Sequence, residues 1–372
     1  MSHIHQNQSL VDMKKHHFFI VIFLFLLMIC SCERDFTPYP LEPAIWNSST
    51  PEEQGMNAQV LDSAFMQARQ TGFVDGLLVI RNGYLVAEEY YNGHDETTPH
   101  NVKSVSKSFV SAITGIALQH GYIDSLEEKV LDYFPEYIYP GMDPRKYDIT
   151  IRHLLTMRMG IRGEAEDNYG VYWEFYASDN WVKKTIEAPL IDDPGAKMHY
   201  NTFQTHLLSA IITKATQKST LEYATDVLFN PMKIDIDSWE RDPQGIYMGG
   251  NNMLFTPREL LAFGLLYANG GRHDGRQIVP AEWIELSWRR LGRSPWNGHS
   301  YGYGWWTRTL AGYDVHFAWG YGGQYVFVVP ELQLVTVVTS SLTNRPPGSR
   351  GHNWRVLRLI RDYVIPAVAD SR

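Results

Sequence analysis

The sequence predicts an α/β fold of the α+β kind: an antiparallel sheet flanked by helices, built from both ends of the chain, around an inserted and mainly helical domain. Three observations point there. Strand-like runs at Gly76 to Ile80 and Leu85 to Tyr91 flank Asn82-Gly83, a strong hairpin signal because the tight turn between such strands needs residues that tolerate positive φ. Further strand-like runs, Tyr303 to Thr307, Val315 to Trp319, Tyr325 to Val329 and Leu334 to Thr339, cluster near the other end. Between the groups, from about Asp124 to Trp239, the pattern turns to helical segments and loops. Strands at both ends with helices between describe one sheet domain, 52–123 and 245–372, interrupted by a helical one, 124–244.

Taken in order, Lys14-Lys15-His16-His17 precede Phe18 to Ile29, an apolar run too short for a comfortable membrane span and typical of a signal-peptide core. It ends Ile29-Cys30-Ser31-Cys32, which resembles the bacterial lipoprotein signal. That likeness implies a signal peptide over 1–31, cleavage before Cys32, lipidation of its thiol, and a tether over 32–51. The expected destination is an exported, periplasmic, membrane-anchored lipoprotein; Met13 opens a conventional Met-Lys-Lys signal of its own. A plain signal peptide or an uncleaved anchor would export the domain equally.

Bulk composition narrows the function. With 372 residues, 44% of them hydrophobic, the chain has enough apolar side chain for one large or two modest cores. A net charge of -8 without a long basic run argues against a nucleic-acid partner. The two cysteines, Cys30 and Cys32, both precede the folded part, so no disulfide is expected within it. The 14 histidines show no His-Glu-x-x-His or comparable spacing, and no metal or other cofactor is expected.

Leu61 to Thr71 reads as a helix ahead of the hairpin. After it comes Asn101-Val102-Lys103-Ser104-Val105-Ser106-Lys107-Ser108-Phe109-Val110, the stretch on which the chemistry turns. From Val105 to Leu118 apolar residues fall at helical spacing, with Gly121 as a stop. Ser104 and Lys107, three apart, share one face of the first turn. A neutral Lys107 there can take the Ser104 proton, and burial at the positive end of a helix lowers the lysine pKa. Ser-x-x-Lys is short enough to occur about once by chance in a chain of this length, so the remaining sequence has to carry the assignment.

Two further stretches bear on it. Pro194 to Thr202 runs from a Pro-Gly turn to a helix beginning near Phe203, and places Tyr200 at the loop-to-helix junction. Beside Lys107 its phenolate would be favoured and could shuttle protons. Ala318-Trp319-Gly320-Tyr321-Gly322-Gly323-Gln324 lies between two strands, where glycines let backbone approach a ligand closely. The N–H of Tyr321, with that of Ser104, would form an oxyanion hole. A packing tyrosine and a plain Gly-rich hairpin loop are the structural alternatives.

In this order and spacing, the three stretches resemble the serine β-lactamase and penicillin-binding-protein superfamily, and most nearly its class C-like branch of esterases, D-aminopeptidases and 6-aminohexanoate-dimer hydrolases. Leu154 to Ile161, Gly249 to Leu260 and Tyr301 to Trp306 resemble further family segments, so the likeness runs from about Trp46 to Ala367. It implies a β-lactamase/transpeptidase-like fold, Ser104 as acylated nucleophile, Lys107 as general base or its partner, and Tyr200 as proton relay to the leaving group. Two departures stand out. The family's Tyr-x-Asn reads Tyr200-Asn201-Thr202, so a hydroxyl, Thr202, stands where an amide would hold a substrate carbonyl. The Lys/His-Thr-Gly strand reads Ala318-Trp319-Gly320, with Trp319 and Gly320 against the substrate and no cation for a carboxylate. His316, two residues before Ala318, shares its face by strand alternation and is the candidate replacement. The expected activity is therefore hydrolysis of a small-molecule ester or amide. β-Lactamase or D-Ala-D-Ala carboxypeptidase activity is one alternative, and a non-enzymatic sensor or binding domain on the same fold is the other.

Overall fold

A computed structural model of the chain describes residues 47–343 and 352–369, all within one unit that begins at Pro38. The signal-like segment, Cys32 and most of the tether lie outside the described residues. The chain joins the fold before the expected boundary at 51. Ser48 bridges Leu85, whose N–H donates to the Asn47 carbonyl, so residues 47–49 already lie along the sheet edge.

Helix α1 (Ala58–Gln70) starts where the Asn57 side chain accepts from the Val60 N–H. It leads into β1 (Val74–Arg81) and β2 (Tyr84–Tyr90), joined by Asn82 and Gly83 at φ 54° and 82°. A 3-10 turn, Lys103–Val105, then runs into α2 (Ser106–Gln119). The helical layer includes α3 (Ile151–Leu155), α4 (Gly170–Tyr176), α5 (Trp181–Glu187) and α6 (Thr202–Thr216). The chain returns through α7 (Pro257–Ala268) and α8 (Ala281–Trp288). The strands β3 (Gly292–Arg293), β4 (Ser300–Tyr301), β5 (Trp306–Leu310), β6 (Tyr313–Gly320), β7 (Gln324–Val329) and β8 (Leu334–Ser340) follow. The chain closes with α9 (His352–Leu359), a π turn over Ile360–Val364 and a short α10 (Ile365–Ala369).

The eight strands form one sheet in the order β2-β1-β8-β7-β6-β5-β4-β3. Each neighbouring pair is antiparallel, and Leu77 faces Val338 across the seam where the two ends of the chain meet. The fold is the mixed helix and antiparallel sheet read from the sequence. Alternation along β1 sends Leu77 and Val79 to a core under α1 and α9, and Leu78 and Ile80 to a larger core under α2 and α7. With both faces covered, β1 reads as a nearly continuous apolar run.

Helix α2 is the pivot. Every residue from Ser106 to Ala117 is buried, the polar Ser106, Lys107, Ser108, Ser111 and Thr114 included. Phe109 stacks on Phe255 and Phe263 at 4.5 and 3.8 Å. The strand expected at Tyr303 starts at Trp306 instead, because the preceding segment packs against α2. There the Ser108 and Ser111 hydroxyls donate to the Gly304 and Tyr303 carbonyls at 2.7 Å each.

Candidate active site

The Ser104 turn is held in an uncommon conformation. Lys103 sits at φ 51°, a left-handed backbone that surrounding contacts must impose on a long side chain. Asn101 Oδ1 accepts from the Lys103 N–H at 3.1 Å, and Lys103 Nζ donates to Asn252 Oδ1 at 2.9 Å. One residue later the Ser104 hydroxyl reaches the cleft, while Ser106 ties the turn down by donating to the Lys103 carbonyl at 2.7 Å.

Lys107 lies one turn further in and is 1% exposed. Its Nζ is 2.9 Å from Ser104 Oγ, 3.0 Å from Thr202 Oγ1 and 2.6 Å from the Gly250 carbonyl. As an ammonium it donates to all three. As a neutral amine it donates to Thr202 and Gly250 and keeps a lone pair for the Ser104 O–H. Burial pulls its pKa down to about 8, against the opposing pull of the Glu164 carboxylate. Gly250 reaches Lys107 because it has no side chain: a Cβ there would stand 2.6 Å from the Thr202 carbonyl.

Tyr200 closes the group. Its ring centroid is 4.9 Å from Lys107 Nζ, and its phenol is hydrogen-bonded with Ser104. Folding therefore brings Ser104, Lys107 and Tyr200 to one point. The electrostatic expectation for Tyr200 is overturned. Burial holds its pKa well above the usual phenol value, with Tyr301 and Glu164 acting the same way, so the phenol stays protonated instead of resting as a phenolate. The loop carrying it is clamped by His199, which bonds Glu166 Oε1 at 2.5 Å and Asp192 Oδ2 at 2.8 Å. The next residue, Asn201, caps α6 by accepting from the Phe203 N–H at 2.9 Å.

These groups open into a cleft of about 670 Å³ whose lining is rich in tyrosine and tryptophan. Trp296, Trp306 and Trp319 form one wall, with Trp306 stacked on Tyr200 at 5.5 Å. Tyr169, Tyr172, Trp173 and Tyr321 form another. Trp319 thus lies where the sequence placed it, and the Tyr321 residue sits at the same cleft as Ser104. Gly320 does something else. A Cβ there would stand 2.1 Å from the Val102 carbonyl, so its bareness lets the end of β6 pass against the backbone before Ser104. Thr202 faces the Lys107 ammonium and is 1% exposed, which gives its hydroxyl a partner inside the protein in place of a substrate carbonyl.

His316 is a correction. Alternation does put it on the Ala318 face, but that face packs on the helices, while Trp319 on the opposite face looks into the cleft. The His316 ring lies 4.3 Å from Trp288, nearly parallel, and Nδ1 bonds Thr307 Oγ1 at 2.9 Å. Burial lowers its pKa to about 4, so it is neutral and cannot replace the missing cation. Among the described residues the one Lys or Arg lining the cleft is Lys103, whose ammonium is already bonded to Asn252. Sequence reasoning missed Glu164, Asn251, Trp296 and Trp306. Asn251 and Trp306 lie within the family-like stretches Gly249 to Leu260 and Tyr301 to Trp306, whereas nothing local marks Glu164 or Trp296.

A family model for beta-lactamases matches residues 61–361. The chain belongs to the beta-lactamase family. Among curated relatives of this family member, a 6-aminohexanoate-dimer hydrolase of Paenarthrobacter ureafaciens is 25% identical over 228 residues, 57% of this chain and 56% of the relative. An uncharacterized protein of Alkalihalophilus pseudofirmus is 25% identical over 250 residues, 62% of this chain and 70% of its own length. The chain thus spans little more than half of the named hydrolase. A solved Bacillus anthracis structure, assigned as a 6-aminohexanoate-dimer hydrolase, superposes with a TM-score of 0.70 at 21% identity, covering 89% of this chain and 90% of that one. The hydrolase EstCE1, with promiscuous acyltransferase activity, gives 0.63 at 15%, covering 84% and 97%. At these identities the structural likenesses establish the fold.

Proposed function

We propose that this beta-lactamase-family protein is a serine hydrolase that forms an acyl-enzyme at Ser104 and cleaves carboxylic esters or small amides. The observation that carries the reading is the Lys107 amine, 2.9 Å from Ser104 Oγ in a desolvated pocket that lowers its pKa to about 8. Neutral Lys107 takes the Ser104 proton as Oγ bonds the carbonyl carbon. The oxygen that gains the electron pair is held by the N–H groups of Ser104 and Tyr321. Because Tyr200 keeps its proton, it acts as an acid, donating to the departing alkoxide or amine and recovering the proton from Lys107. Water repeats the attack on the acyl-enzyme, releasing the acid and restoring the Ser104 hydroxyl.

The lack of a free cation among the described cleft residues favours esters and neutral amides over penicillins and D-Ala peptides, whose carboxylate such a cation would hold. The hydrolase relatives point the same way. Mass spectrometry after a fluorophosphonate probe is the test. Wild type should gain one adduct on Ser104, and Ser104→Ala none; equal labelling of the variant refutes the assignment. Export and lipid anchoring at Cys32 are proposed on the sequence alone, and Cys32→Ala should move the protein from the membrane fraction to the soluble one.

A further inference from the structure

Glu164 is a carboxyl group inside the cleft that the mechanism above does not use. It is 4% exposed, and its Oε1 accepts the Thr202 N–H at 2.5 Å. Thr202 Oγ1 in turn accepts from Lys107 Nζ at 3.0 Å, which leaves the hydroxyl hydrogen for the Glu164 carboxylate, its second contact with the same residue. The chain of contacts runs Lys107, Thr202, Glu164 and is closed to solvent, since Thr202 and Lys107 are each 1% exposed.

We propose that Glu164 is a positioning residue, the counter-charge that, through the Thr202 hydroxyl, sets the proton affinity of Lys107 and so the pH at which the amine becomes a base. The proposal rests on the serine-hydrolase reading. It also accounts for the hydroxyl at position 202: a Thr can accept from the amine and donate to the acid at once. A carboxylate buried without a positive partner is costly, and Lys107 is the cation facing Glu164 from α2. Asp167 on the same segment opposes Lys107 by raising the Glu164 pKa. Tyr169, Tyr172 and Tyr200 face it from the aromatic wall and the Tyr200 loop, and all three phenols are held neutral, with pKa values raised by burial.

The sign follows directly. Glu164 raises the Lys107 pKa, so removing its charge lets the pKa fall, and the neutral amine then appears at lower pH. Wild-type kcat/KM on p-nitrophenyl acetate should rise with pH through about 8 as Lys107 loses its proton. In Glu164→Gln the midpoint of that acid limb should drop by about one pH unit, the lower end of what a close opposite charge confers. Thr202→Val should move it in the same direction, and Thr202→Ser should restore it. A wild-type midpoint in Glu164→Gln overturns the proposal, whatever happens to the plateau rate or to Tm. Should Glu164→Gln fail to fold, the Thr202→Val and Thr202→Ser pair decides the matter alone: an unmoved midpoint in Thr202→Val overturns it. A wild-type protein that neither turns over ester nor takes the fluorophosphonate label refutes the hydrolase reading instead, so the two failures are distinguishable.

Discussion

At the scale of single residues, burial decides which of two neighbouring groups holds the proton. The same desolvation that lowers the Lys107 pKa raises that of Tyr200, because it penalises whichever form is charged. In the proposed mechanism the amine is then the base and the phenol the acid; the sequence suggested these roles but not that the phenol rests protonated. Tyr200→Phe should therefore slow turnover about 10²- to 10⁴-fold for alkyl esters and amides, whose leaving groups need a proton. For p-nitrophenyl esters, whose leaving group departs as an anion, the loss should be much smaller. Steady-state kinetics on the two substrate classes check this, and equal losses on both would contradict an acid role. Ser104 and Lys107 were legible because their three-residue spacing came in order with the Tyr200 and Gly320 stretches. Glu164 was not, since nothing local marks a carboxyl that will be buried against a lysine 57 positions away (164 − 107).

At the scale of elements, the site depends on backbone coming close to backbone. The end of β6 and the turn before Ser104 touch only because Gly320 carries no side chain, the Cβ of any other residue lying 2.1 Å from the Val102 carbonyl. Gly320→Ala should force the two apart. It should cost about 1–3 kcal/mol, as overpacking does, and lower kcat more than it raises KM, by shifting the Tyr321 N–H proposed as an oxyanion donor. Thermal unfolding with kinetics on one ester checks it; wild-type values of both would mean that the contact is not limiting. The glycines were visible in the sequence as a group. Their separate tasks were not, because the atom each one avoids belongs to a distant segment. His316 teaches the converse. Period-two alternation placed it correctly on the Ala318 face, yet alternation cannot say which face of a sheet looks into a cleft and which is covered by helices.

At the scale of the whole molecule, one core spans the sheet and the helical layer. Leu78 and Val326 of the sheet, Phe109 and Ile113 of α2, and Phe203 and Leu207 of α6 all belong to it. The sheet and helical parts are distinguishable by sequence pattern, but α2 shares its packing between them. The described fold should accordingly unfold in a single transition, with loss of ester hydrolysis coincident with loss of helix signal. Phe109→Ala, which empties the stack between Phe255 and Phe263, should lower the stability of that entire transition by about 3–5 kcal/mol. Calorimetry showing two separated transitions would refute this. The sequence by itself determined the hairpin at Asn82-Gly83, the pivot helix, the strands at both ends and the serine-lysine pair, because each is encoded within one helical turn or one strand pair. Only the tertiary structure decided which face of β6 borders the cleft, that Tyr200 rests protonated, and that Glu164 stands behind Lys107. Desolvation and close approach depend on which distant segments are brought together, and no local pattern carries that information.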